Sequence, residues 1–448
     1  MKLYEGLSVA RGEVVAFVGA GGKTSALLNL GHELVEFGWR VMATTTAHVA
    51  AEQLDLVPQV IRTGASMRAL SDALRDSRFV FLYDSVRAGL VYGPSMDYIT
   101  RLLDTIDSDV MLVEADTANG LLLKAPYDHE PYIPPEATLV VPVASLGVLG
   151  QDLDEQHVYN ARAIVERYGF AVGTRVKSPW VAQVLRDETL GLRGVPERAR
   201  VVALLNQVPA QGYLRGRARL IAQLILRSPR VQGVAIGSVR SADPIHEVQR
   251  PVGAVVLAAG MSRRMGQPKV LMPWVGRRTI IEHILDQLVL ARVDHIVVVT
   301  GPYRAEVESR AAALGVSTVF NPDYAEGEML SSLKTGLAAL PPQVAGALVV
   351  LGDQPRIQPR IVNQVMMAYA EGKGGLVAPS YEMKRGHPIL IDRRYWAELQ
   401  ALPIDGSLRT LLQAHADEIA YVNVDTDSVL RDVDTPDDYA QERWRAGL

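Results

Sequence analysis

The stretch "VVLAAGMSRRMGQPK", Val255 to Lys269, begins as an apolar run fit for a buried strand and turns within a few residues to glycine, serine, arginine and lysine. A strand ending in such a loop is suited to an anion: amides and side chains wrap a polyphosphate while Arg264 and Lys269 supply charge. Neither G-x-G-x-x-G nor G-x-x-x-x-G-K-[ST] spacing is present. Alone, a Gly/Arg loop after a strand is as often a plain turn as a site, so its companions decide. "VVLGDQP" sets Asp353 just past a second buried run, where ligands bind in open α/β sheets. "LRDVDTPDDY" offers Asp432, Asp434 and Asp437. Carboxylates from these two segments, if brought together, can hold magnesium. Taken singly, Asp353 suits a tight turn and the late aspartates suit the helix start at Thr435-Pro436.

A second loop, "AFVGAGGKTS" from Ala16 to Ser25, has G-x-x-G-K-T, two residues shorter than the Walker pattern, yet lies between a strand and a helix starting near Lys23. The helix amides and Gly19, Gly21, Gly22, Lys23, Thr24 and Ser25 are expected to take phosphates of ATP or another nucleoside triphosphate, with the Thr24 hydroxyl reaching magnesium. The other reading is a glycine-rich turn with a solvated lysine. "MLVEAD" ends a further strand in Glu114 and Asp116, either a metal-side acidic pair for this loop or merely a polar strand end.

Around the two loops the apolar runs "VVAFVG", "WRVMATT", "RFVFLYD", "DVMLVEAD", "ATLVVPV" and "RVVALLN" alternate with amphipathic helix-length segments, the signature of an α/β parallel sheet. The pattern restarts at "VGAVVLAAG" and continues through "HIVVVTG", "VSTVFN" and "GALVVLGD", with helices expected over 280–290 and 330–340. "SADPIHEVQRPV" between the halves has prolines, mixed charge and no period, and reads as a linker. The expected division is 1–240, a P-loop-like α/β domain; 241–252, the linker; and 253–448, a second α/β domain with a mostly parallel sheet.

The 448 residues, 48% apolar, suffice for two or three cores. A net charge of -4 without long Lys/Arg runs argues against nucleic acid or an anionic membrane as partner. The absence of cysteine excludes disulfides, zinc–thiolate sites, protein-ligated iron–sulfur clusters and cysteine nucleophiles, and fits a cytoplasmic location. No signal-peptide or membrane-spanning pattern is present.

As an ordered set, "LAAGMSRRMGQPK", "NPDYAEGEMLSSLKTGL", "LGDQP", "RGHPIL" and "DVDTPDDY" resemble the molybdenum cofactor nucleotidyltransferases, and the cytidylyltransferase group in particular, over roughly Val252 to Tyr439. The resemblance implies a Rossmann-like nucleotidyltransferase fold. In it Ala258, Ala259, Gly260, Ser262, Arg264, Gly266 and Lys269 hold the triphosphate, with Arg264, Lys269 and Asp353 as the catalytic groups. Asp353 and Asp434 ligate Mg²⁺, and Ser332 and His387 lie toward a molybdopterin acceptor. "LAAG", where guanylyl-transferring members tend to have L-A-G-G, implies CTP as the substrate. "GEMLSS" carries one residue more than G-M-x-S-S, and "PIDGSLRTLL" follows G-D-x-G-x-R only loosely. Upstream, "FVGAGGKTS", "ATTTAHV", "VEAD" and "LKAPYDHEPYIP" resemble the accessory protein family linked to selenium-dependent molybdenum hydroxylases, from about Ala10 to Gly237, with Lys124, His129 and Glu130 in its K-A-P and H-E-P motifs and Thr117 where the family usually has glycine. Together the resemblances imply a fusion that makes the molybdopterin cytosine dinucleotide and serves a molybdenum hydroxylase client. The alternatives are a guanylyl or sugar-phosphate nucleotidyltransferase, or a non-catalytic carrier that inserts finished cofactor.

Overall fold

The computed structural model describes residues 1–326, 328–403 and 406–448, and the backbone alone at 328. The motif departures in "GEMLSS" at Gly327 and in "PIDGSLRTLL" at Ile404 and Asp405 lie outside the described residues. The chain forms two compact units, Met1–Gln249 and Arg250–Leu448.

The first unit is built on a nine-stranded sheet. Its spatial order is Ile245–Gln249, Gly233–Gly237, Arg200–Asn206, Leu139–Ser145, Glu13–Gly19, Val110–Glu114, Val41–Thr45, Phe79–Tyr83 and Gln59–Arg62. Every pairing is parallel except that of the edge strand Ile245–Gln249, which runs antiparallel to Gly233–Gly237. The central strands are buried on both faces, so they read as continuous apolar runs rather than alternating ones. The helix Lys23–Glu36 covers one face with Leu27, Leu30 and Leu34, each fully buried at roughly 1.5–3 kcal/mol of transfer free energy apiece. A small antiparallel sheet of His48–Ala50, Leu90–Tyr92 and Ser85–Arg87 stands apart from the main one.

The second unit has the order Ser317–Phe320, His295–Thr300, Val252–Ala258, Gly346–Leu351, Ile389–Asp392, Leu376–Tyr381 and Lys384–Arg385, with Ile419–Asn423 also paired to Leu376–Tyr381. The first four strands are parallel, Ile389–Asp392 is antiparallel to both neighbours, and Ile419–Asn423 is parallel to its partner. The expected helices appear as Ile280–Leu290, opened by a Thr279/Glu282 capping box, and Glu328–Ala339.

In both units the chain steps to one side of its first central strand and later returns to the other. Glu13–Gly19 is flanked by Val110–Glu114 and Leu139–Ser145, and Val252–Ala258 by His295–Thr300 and Gly346–Leu351. Each glycine loop leaves the C-terminal end of a strand at such a switch point, where a crevice opens by topology alone.

Half of the expected linker is strand. Ile245–Gln249 is the last strand of the first unit and Val252 opens the central strand of the second. What hides this strand is Glu247, fully buried and held by Arg215 and Arg219, each within 2.7 Å. A carboxylate at a core position breaks the apolar pattern from which strands are read. Among the described residues no helix is long and apolar enough to cross a membrane.

Candidate functional site

In the second unit Leu257–Met261, Lys269, Val270, Tyr324, Met329, Ser332, Leu351–Asp353, Asp432 and Asp434 surround a cavity of about 420 Å³ at the switch point. Two backbone bonds assemble its acidic wall: Gly352 N–H donates to Leu257 O (3.1 Å), and Val433 N–H donates to Asp353 O (2.8 Å), drawing the late aspartate segment against the strand end. Lys269 Nζ then donates to Asp353 Oδ2 and, at 3.1 Å, to Asp434 Oδ1. Arg264 Nη2 reaches Asp434 Oδ2 at 2.7 Å. Burial opposes the Lys269 charge, but the Asp353 and Asp434 carboxylates outweigh it and raise its pKa. For Asp432 burial leads and the Asp353 charge adds to it, so its pKa is raised, although Gln354 donates to it at 2.7 Å.

The loop turns at Ser262 (φ 50°) and Gly266 (φ 72°), where Met265 and Gly266 N–H donate to Ser262 O and Lys269 N–H donates to Ser262 Oγ (3.1 Å). Gly260 has no left-handed φ, and a Cβ added there would meet open space. Of the late aspartates, Asp438 forms the capping box with Thr435 at the helix Pro436–Arg445, while Asp434 faces the lysine. The helix-start reading of this segment therefore applies to Asp437 and its neighbour Asp438, both in the first turn, and not to Asp434.

Ser332 lines the cavity and accepts from Asn321 Nδ2 at 3.0 Å. His387, expected toward the acceptor, does not line it. Burial, with Arg385 nearby, pushes its pKa down to about 4; its backbone N–H donates to Val429 O, and its ring Nε2 is buried without a hydrogen-bond partner among the described residues. The GHP segment was placed from its motif, and the motif carries no information on which way the ring turns.

No group of three or more acidic or histidine side chains among the described residues is arranged to hold a metal by itself. Asp353 and Asp434 nevertheless fit magnesium: one or two carboxylates with the remaining positions left to water and substrate phosphates is the usual donor set. Their charge is offset here by Lys269 and Arg264.

In the first unit the loop Gly19–Thr24 borders a cavity of about 390 Å³, lined among others by Gly21–Ser25, Glu114, Thr117–Leu122, Gln207 and Arg240. Gly21 (φ 81°) and Gly22 (φ 123°) are required twice over: a Cβ would meet Ser145 N at 2.6 Å and Asn206 Nδ2 at 2.3 Å. Lys23 is not solvated. Its Nζ donates to Gly19 O at 2.7 Å and lies 3.1 Å from Asp116 Oδ1 and 3.8 Å from Glu114 Oε1. Thr24 Oγ1 donates to Glu114 Oε2 at 2.7 Å. Burial raises the Glu114 pKa to about 7 against the pull of Lys23 and Thr24. Asp116 accepts from Gly19 N–H (3.0 Å) and pairs with Lys124 (3.3 Å), which also pairs with Glu130 (2.9 Å). Thr24 and Glu114 thus suit a metal beside phosphates, whereas Asp116 is engaged as a link from the loop to the K-A-P segment. His129 is exposed and stacks on Tyr127.

Sequence reasoning missed Asn206, Gln207 and Arg240. Asn206 Nδ2 donates to Gly21 O (2.8 Å) while its Oδ1 accepts from Val239 N–H (3.0 Å), and Arg240 donates to Ser25 Oγ (3.3 Å). The signal was present in "RVVALLNQ", a buried run ending in polar residues, the same pattern that singled out Asp353 and Glu114.

Two family models match the chain, one within each unit. Residues 15–162 match the YqeC protein family and residues 254–419 the MobA-like NTP transferase domain. The uncharacterized protein YqeC of Escherichia coli (strain K12) is 31% identical over 199 residues, 44% of this chain and 77% of that protein. The molybdenum cofactor cytidylyltransferase of the same strain is 29% identical over 196 residues, 43% of this chain and 97% of that protein. The nicotine blue oxidoreductase of Paenarthrobacter nicotinovorans is 30% identical over 191 residues, 41% of this chain and 92% of that protein.

Proposed function

The chain belongs to the YqeC family through its first unit and is a MobA-like nucleotidyltransferase in its second, and on that premise we propose that the second unit transfers CMP from CTP to molybdopterin with release of pyrophosphate. The observation that carries the reading is Lys269 held between Asp353 and Asp434 at the mouth of the switch point. The acceptor is a phosphate monoester whose oxygen is ionised at neutral pH. It attacks the α-phosphorus, the α–β phosphoanhydride bond breaks, and pyrophosphate leaves with the electron pair, so no general base is needed. Catalysis then reduces to alignment and charge neutralisation. Lys269 and Arg264 meet phosphate oxygens, the 258–262 backbone seats the triphosphate, and Ser332 faces the acceptor side. Asp353 and Asp434 would hold magnesium, which when bound supplies further shielding of the phosphates. The "LAAG" stretch supports CTP over GTP. His387 has no part in this reading.

The first unit binds a nucleoside triphosphate through Gly19–Ser25, with Thr24 and Glu114 on the metal side, and serves maturation of a molybdenum hydroxylase client. The cysteine-free composition supports a cytoplasmic setting. The test is incubation of the full chain with Mg²⁺, molybdopterin and each triphosphate, reading product mass and pyrophosphate. A cytosine dinucleotide with stoichiometric pyrophosphate is expected. A guanine product would shift the substrate, and absence of pyrophosphate would leave a carrier or the redox chemistry named in the third relative.

A further inference from the structure

The first unit's cavity is also lined by a side chain that the phosphate reading does not use. Gln207 follows the last residue of the strand Arg200–Asn206 and lines the same cavity as Lys23 and Thr24. Its backbone is left-handed (φ 58°), a conformation that favours glycine or asparagine and that costs a longer side chain. Two bonds hold it there: its N–H donates to Asn206 Oδ1 (2.8 Å), and Ser145 Oγ donates to its Oε1 (2.6 Å). Asn206 is itself tied to Gly21 O, so the phosphate loop and Gln207 are fixed through one side chain. The carboxamide is therefore oriented, its Oε1 keeps a second lone pair, and its Nε2 has no hydrogen-bond partner among the described residues.

We propose that the first unit takes an adenine nucleotide and that Gln207 is the residue that reads the base. The inference rests on the nucleotide-binding reading of that unit. An oriented carboxamide offers one acceptor and one donor side by side, matching the N6 amino group and adjacent ring nitrogen of adenine, the pairing by which Gln and Asn recognise adenine elsewhere. Guanine instead presents two neighbouring donors, N1–H and the N2 amino group, best met by a carboxylate. Among the described residues lining the cavity the carboxylate is Glu114, bonded to Thr24 at the phosphate end.

The test is calorimetric titration of the full chain with Mg·ATP and Mg·GTP, in a Lys269→Ala background that weakens the second unit's triphosphate site, with Lys23→Ala, Gln207→Ala and Gln207→Glu added singly. ATP should bind about ten- to a hundredfold tighter than GTP, the discrimination typical of one bidentate base contact. Gln207→Ala should bring the two within about threefold, and Gln207→Glu, which keeps the size but offers only acceptors, should favour GTP. Lys23→Ala should weaken both nucleotides alike. Equal or tighter GTP binding that still depends on Lys23 overturns the base assignment and leaves the nucleotide site standing. Equal losses of ATP and GTP in both Gln207 variants would make Gln207 a loop support and likewise overturn it. Binding of neither nucleotide in a Lys23-dependent way removes the reading on which the inference rests.

Discussion

Asp353→Asn keeps the shape of the side chain and removes one of the two carboxylates that face Lys269. The pair is largely enclosed, with side-chain exposures of 15% for Lys269 and 21% for Asp353, so the lost charge acts in a medium less polar than water. A preorganised electrostatic contact in such a site contributes about 10²- to 10³-fold to rate, or about 2.7–4 kcal/mol, and CMP transfer by the variant is expected to fall by at least that factor. Asp434→Asn should cost less. Asp434 is 30% exposed and its second partner, Arg264, is 71% exposed, so the outer half of its ion pairing is screened and contributes about 0–1 kcal/mol. Neither variant should unfold, because each leaves Lys269 one carboxylate. The assay is pyrophosphate release at saturating CTP and acceptor, with circular dichroism on both proteins. If folded Asp353→Asn retains transfer within threefold of the parent, the Lys269 cluster is not the catalytic centre.

Four further outcomes are expected. Lys23→Ala should weaken nucleotide binding by the first unit and leave CMP transfer within about twofold, as for chemically separate sites; loss of transfer as complete as in Asp353→Asn would show one composite site. Glu114 has a folded pKa raised to about 7 by burial, against about 4.3 in an unfolded chain. The folded state therefore holds the proton more tightly, and this contribution to stability is full below about pH 4 and is lost as pH rises through about 7. Urea titrations from pH 4 to 8 should show the parent losing stability relative to Glu114→Gln across that window, and parallel curves would refute the assignment. A first-unit fragment ending at 240 lacks the strand Ile245–Gln249, and a Glu247→Leu variant of the full chain leaves Arg215 and Arg219 without their carboxylate; the latter should cost about 3 kcal/mol, the low end for breaking a buried pair because both arginines reach solvent. By contrast a 250–448 fragment should fold and transfer nucleotide, measured by the same pyrophosphate assay.

The parallel core was legible because its strands are buried on both faces and so appear as unbroken apolar runs: "VVAFVG", "DVMLVEAD" and "GALVVLGD" all lie at sheet centres. Short or edge strands such as Gln59–Arg62, Lys384–Arg385 and Ile245–Gln249 carry little or no such run, and a buried Glu247 actively disguised the last. At the site, the chemistry of Lys269, Asp353 and Asp434 could be named from residue type and position at strand ends, but not that the lysine would lie between the two acids, since Asp353 and Asp434 are drawn together by a backbone bond from Val433 that no spacing encodes. Lys23 shows the same gap: its alternatives were a phosphate ligand or a solvated side chain, and the fold adds a third arrangement, an ammonium turned back onto Gly19 O and Asp116. For His387 the gap is of the opposite kind, because a motif names a ring without giving its orientation.

The neutral balance of Lys269 and Arg264 against Asp353 and Asp434 also governs how a nucleotide finds the second unit. Two cations facing two anions project almost no field beyond a Debye length, about 8 Å at physiological ionic strength, and Asp432 adds at most a weak repulsion toward phosphates. A triphosphate approaching from bulk solvent is therefore not drawn in from a distance. Its association rate should change little between low and high salt, with selectivity exercised only after contact, when phosphate oxygens compete with carboxylates for the same ammonium and guanidinium hydrogens.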